Sequence, residues 1–78
     1  MATDQEVSTG LVICTRNEGY TASLERRKLY QVIADEEAAK HAQLRVIDES
    51  GGDYLYPARY FVRVQLPESI AQAVIEAA

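Results

Sequence analysis

Between Gly51 and Val62 the chain reads Gly51-Gly52-Asp53-Tyr54-Leu55-Tyr56-Pro57-Ala58-Arg59-Tyr60-Phe61-Val62, and no other stretch constrains the fold as tightly. Two adjacent glycines both tolerate positive φ, which a tight hairpin demands of its central residues. The upstream run Leu44-Arg45-Val46-Ile47-Asp48 interleaves apolar and polar residues, and Asp53-Tyr54-Leu55-Tyr56 does the same with aromatics, so the two are expected to pair antiparallel. Pro57 has no N–H for a ladder and must end its strand or lie at an edge. The link Pro57-Ala58-Arg59-Tyr60 then makes one helical turn before a last strand, Phe61-Val62-Arg63-Val64.

Earlier in the chain, Leu11-Val12-Ile13-Cys14-Thr15 is a continuous β-favouring run, the pattern of a strand covered on both faces. Asn17-Glu18-Gly19-Tyr20 reads as a turn, and Thr21-Ala22-Ser23-Leu24 as an irregular returning strand. Leu29-Tyr30-Gln31-Val32-Ile33 is the next strand, entered through the polar turn Glu25-Arg26-Arg27-Lys28. Ala34 to Ala42 carries helix signals: Asp35 as cap, Glu36 and Glu37 at the positive end of the dipole, Lys40 and His41 at the negative end. A second helix is expected after Pro67, with Ile70, Ala73, Val74 and Ala77 on one apolar stripe.

A glycine hairpin, an aromatic-Leu-Tyr-Pro segment, a Pro-x-x-Tyr turn and a β-branched final strand, in this order, resemble the C-terminal half of an SH3 domain. Leu29 to Ile33 is similar to the strand that follows that family's diverging turn. The resemblance spans residues 11 to 66, and the chain also resembles small, mostly uncharacterised bacterial and phage proteins with an Asp-Tyr-Leu-Tyr-Pro segment. It implies a mainly β fold: an SH3-like barrel of about five antiparallel strands with a short inserted helix, followed by a C-terminal helix over residues 67 to 78. In that family proline-rich ligands lie on an aromatic groove, to which the resemblance assigns Pro57 and Tyr60 here. The chain has no tryptophan, and Cys14-Thr15-Arg16-Asn17 lacks the family's tyrosines, so polyproline itself is not the expected ligand.

Seventy-eight residues support one small core, with a stability on the order of 4–12 kcal/mol. A closed or nearly closed barrel suits that size because it leaves few free strand edges. One cysteine excludes a disulfide framework and a cysteine-rich zinc site, and no apolar run approaches the roughly 20 residues of a membrane span. The polar, acidic residues 1 to 10 lack the features of an export signal and read as a disordered tail, so a cytoplasmic location is expected.

Catalysis by an acid–base or nucleophile–base pair needs converging titratable groups. His41 is the only histidine and lies in a solvated, charged segment; Cys14 lies mid-strand, where a thiol is usually buried and inert. Asp48 to Asp53 superficially suggests a calcium loop but lacks the alternating ligands and the distal glutamate of one. No enzyme activity, metal or cofactor is expected. The expected role is a protein-binding or regulatory accessory whose partner is another protein, with Tyr20, Tyr54, Pro57 and Tyr60 as candidate contact residues. The alternative is nucleic-acid contact through Arg16, Arg26, Arg27 and Lys28, opposed by the formal net charge of -4. Tyr30, Tyr56 and Tyr60 are expected to pack their rings and expose their hydroxyls, and Tyr20, in its loop, to be the most exposed aromatic.

Overall fold

Alternating apolar residues and well-placed turns produce five strands and two α-helices in the computed structural model, which describes residues 10–77. The tail expected over residues 1 to 10 thus lies, Gly10 apart, outside the described residues. In chain order the elements are β1 (Leu11–Cys14), β2 (Leu29–Ile33), α1 (Glu36–Lys40), β3 (Gln43–Ile47), β4 (Asp53–Pro57), a 3₁₀ turn (Ala58–Tyr60), β5 (Phe61–Val64) and α2 (Glu68–Ala77). The fold is mainly β. Its sheet is antiparallel throughout, in the order β4-β3-β2-β1-β5. β4 and β5 do not pair, so the sheet is open rather than a closed barrel. Pro57, the last residue of β4, explains part of this: the 3₁₀ turn that follows it diverts the chain to the far side of β1, where Phe61 pairs with Cys14.

The hairpin between β3 and β4 pairs Ile47 with Asp53 and Val46 with Tyr54. Only Gly51 sits in the left-handed region, at φ 86°; Gly52 does not, so one glycine rather than two meets the conformational demand. Helix α1 begins where Asp35 accepts a hydrogen bond from the Ala38 N–H, and it buries only Ala38. The expected returning strand at Thr21 to Leu24 is a series of turns, closed by the Ser23 and Leu24 N–H groups donating to the Tyr20 carbonyl. Leu24 nonetheless enters the core and is 1% exposed.

Alternation places Val12, Cys14, Tyr30, Val32, Val46 and Tyr56 inward, where they meet Leu24, Tyr60 and Phe61 in one cluster. On the outer face Arg45 stands between its strand partners Ile33 and Leu55 and bonds Asp35 at 2.8 Å and Asp53 at 3.1 Å. Helix α2 has no buried residue. The stripe expected on it is not what it covers: Ala71, Val74 and Ile75 are half-buried, while Ile70, Ala73 and Ala77 are exposed. No helix among the described residues is long and apolar enough to cross a membrane.

Candidate functional site

The long first loop, between β1 and β2, returns to the 3₁₀ turn at its root. Thr15 and Arg16 both donate their backbone N–H groups to the Tyr60 carbonyl, at 2.8 and 3.3 Å, and the Tyr60 hydroxyl donates to the Glu18 carbonyl at 2.9 Å. A side chain remote in sequence is thereby locked to the loop at both ends. The Asn17 amide fixes the other limb by donating to the Leu24 carbonyl at 3.1 Å.

On this platform Tyr20 packs edge-on to two rings, with centroids 4.9 Å from Tyr56 and 6.0 Å from Tyr60. Such T-shaped pairs align the positive edge of one ring with the negative face of another and add about 0.5–1.5 kcal/mol to area burial. Tyr20 is 38% exposed, whereas Tyr56 and Tyr60 are buried, so one ordered aromatic is left at the surface on two buried ones. The Arg16 and Arg59 guanidinium carbons each lie 5.4 Å from the centre of the Tyr60 ring. Both are in cation–π range. Arg16 is also paired with Glu18 at 3.2 Å, while Arg59 has no ion-pair partner among the described residues.

Tyr20 and Tyr60 are therefore brought together, and Pro57 caps the turn that carries Tyr60. Tyr54 stands apart: it lies beside Gly52 at the hairpin, 56% exposed, and pairs with no other ring among the described residues. The tyrosine hydroxyls expected at the surface are instead bonded internally, because a buried O–H without a partner costs free energy. The Tyr56 hydroxyl donates to Asp48 Oδ2 at 2.5 Å and shares a second bond with Ser23 Oγ at 2.9 Å. The Tyr30 hydroxyl donates to Glu49 Oε2 at 2.6 Å and accepts from the Glu25 N–H at 2.8 Å. Together with the Glu49 N–H donating to the Ser23 carbonyl, these bonds tie the β3–β4 hairpin to the first loop beneath Tyr20.

The electrostatics follow from those contacts. Burial pushes the Asp48 carboxyl up, but bonds from the Ser50 and Tyr56 hydroxyls and the Ser50 N–H outweigh it and hold the group below the usual carboxylate range. Lys28, at 2.6 Å, and then Tyr30 hold Glu49 low as well. Burial, with Asp48 second, raises Tyr56, and burial, with Glu49 second, raises Tyr30. Cys14 is fully buried in the core, its thiol donates to the Arg16 carbonyl at 3.1 Å, and burial raises its pKa.

The basic residues do not form one free face. Lys28 is taken up by Glu49 and Arg16 by Glu18, while Arg26 and Arg27 line a shallow depression with Ile13, Thr15, Asn17 and Glu25. His41 ends α1 at the surface, 3.7 Å from Glu37. Among the described residues no three His, Cys, Asp or Glu side chains converge as a metal site would require.

Sequence reasoning did not foresee Leu24 in the core, Asp48 bonded beneath Tyr56 or Arg59 over the Tyr60 ring. Leu24 carried the one available signal, being the single large aliphatic residue in an otherwise polar loop. Arg59 differs: its role arises from standing next to Tyr60 in a turn that folds against Arg16, and that juxtaposition has no local trace.

Comparison with protein-family models, with curated proteins and with solved structures returned no match to the chain.

Proposed function

We propose that the chain is an SH3-like module without catalytic activity, a protein-binding or regulatory accessory that contacts another protein through Tyr20 and Pro57, with the buried Tyr60 supporting Tyr20 from beneath. Support for the SH3-like assignment comes from the strand order β4-β3-β2-β1-β5, the single 3₁₀ turn between β4 and β5, and a long first loop bonded back to that turn. The open sheet fits it too, since β2 continues from its pairing with β1 into its pairing with β3.

The observation that carries the binding reading is Tyr20. Exposing a large aromatic ring forgoes burial energy, yet this ring is held by two edge contacts and a hydrogen-bonded loop rather than folded under the surface. An immobilised exposed aromatic contributes contact area with little ordering cost on association. Nucleic-acid contact has less in its favour, because two of the four basic side chains assigned to it are already paired with carboxylates.

Selection of a random-peptide library on the wild-type domain, with Tyr20→Ala and Tyr54→Ala as comparisons, tests the reading. Binding peptides should be lost on Tyr20→Ala and kept on Tyr54→Ala, with both variants folded by circular dichroism. Peptides insensitive to Tyr20→Ala would rule the face out.

A further inference from the structure

Two guanidinium groups share one aromatic ring at this face, and only one of them has a counter-charge. Arg16 and Arg59 both stand 5.4 Å from the Tyr60 ring centre, so their separation is at most twice that, comparable to the Debye length of about 8–10 Å. Glu18 offsets Arg16. Arg59 is exposed and unpaired among the described residues, with its guanidinium over the Tyr60 ring. Residues 16 to 28 sum to +2 in sequence, but Glu49 pairs with Lys28 from outside that segment, so the free positive charge beside the ring is that of Arg59. Beside Tyr20, Arg59 is thus the one guanidinium of the pair left open to an incoming anion.

Resting on the contact-face reading above, we infer that the partner segment is an acidic peptide: an Asp or Glu side chain pairs with Arg59 while a neighbouring proline or aliphatic residue packs on Tyr20 and Pro57. A planar guanidinium matches a carboxylate with two parallel hydrogen bonds. The exposed ring alongside it accepts an apolar residue with no rearrangement of the loop. A nucleic acid would meet the same two arginines, but its phosphates would extend over the rest of the surface, where carboxylates outnumber basic groups and the field is repulsive. A short peptide places one or two charges at Arg59 and leaves the acidic remainder untouched.

The peptides selected on the wild type provide the test. Their expected composition is an excess of Asp and Glu over Lys and Arg, and replacing the selected acid by Gln or Asn should weaken binding up to about fivefold, the range of an exposed ion pair. Arg59→Gln should weaken the acidic peptide to the same degree and leave its Gln counterpart unchanged. Arg59→Glu should invert the preference toward basic peptides, at unchanged thermal stability. Tyr20-dependent peptides with no excess of acid, or with unaltered affinity for the Arg59 variants, overturn this inference alone. A selection that yields no Tyr20-dependent peptide overturns the contact-face reading and this inference with it. A single-stranded oligonucleotide that binds the wild type more tightly than the peptides, and loses that binding in Arg59→Gln, also overturns it, in favour of nucleic acid.

Discussion

Replacing Tyr56 by Phe keeps the ring that packs against Tyr20 and Phe61 and removes only the hydroxyl, which donates to Asp48 at 2.5 Å and meets Ser23 at 2.9 Å. Asp48 is 7% exposed, so the carboxylate cannot recruit bulk water in place of the lost donor and keeps only its bonds from Ser50. A hydrogen bond to a charged group is worth about 1.5–3 kcal/mol. Against a total of roughly 4–12 kcal/mol for a chain of this length, the loss is substantial. At about 4–8 °C per kcal/mol for so small a domain, it lowers Tm by roughly 6–24 °C.

The pH dependence of that loss has a definite sign. Asp48 has a folded-state pKa below its unfolded value, so its contribution to stability is present above the unfolded value, about 3.9, and disappears as pH falls through the folded one. Below that range the bond is neutral and worth about 0.5–1.5 kcal/mol. Urea denaturation followed by far-ultraviolet circular dichroism, at pH 7 and near pH 2, should therefore give a larger difference between wild type and Tyr56→Phe at pH 7. Equal differences at both pH values, or a difference at pH 7 below about 0.5 kcal/mol, would refute the buried, charge-assisted bond. Tyr54→Phe, on an exposed ring, should stay within about 0.5 kcal/mol of wild type.

Leu24→Ala empties a fully buried site in a loop that has no regular structure and should cost about 2–5 kcal/mol, read by the same urea titration; a cost below 1 would remove Leu24 from the core. The hairpin glycines should separate: Gly51→Ala, at φ 86°, should cost about 1–2 kcal/mol, whereas Gly52→Ala needs only a shift of the Tyr54 ring edge and should be nearly neutral. Cys14 should resist alkylation by iodoacetamide until the domain unfolds, so its labelling rate should rise with urea in step with the circular dichroism transition; rapid labelling of the native protein would contradict its burial. A chain ending at Leu66 should keep the cooperative transition of the sheet and lose helical ellipticity, since α2 buries no residue; loss of the transition itself would show that the helix supports the core.

Several elements were legible from local chemistry because their causes are local. Asp35 caps α1, Pro57 ends β4 and Gly51 turns the hairpin, each through a backbone preference satisfied within a few residues. Strand alternation likewise put Tyr54 and Tyr56 on one face, yet it could not say how each would be covered. Tyr56 is buried because Tyr20, Phe61 and Asp48 converge on it from three other segments, while Tyr54, two residues nearer the turn, has nothing above it. The same holds for helix α2, whose sequence stripe named Ile70 where the fold half-buries Ala71 and Ile75.

Residue order in this chain determined its five strands, its two helices and its mainly β character, because φ/ψ preferences and hydrophobic period act over a few residues, though not the turns that replace a strand at Thr21 to Leu24. Tertiary structure alone decided that the sheet stays open, that Leu24 and Asp48 are buried, and that Tyr20, Tyr60, Arg16 and Arg59 meet. Those outcomes depend on hydrogen bonds and ring contacts between segments some forty residues apart, such as Tyr60 to Glu18. Their energy is realised only after the chain entropy of closing the intervening loops has been overcome, and local sequence carries no record of that closure.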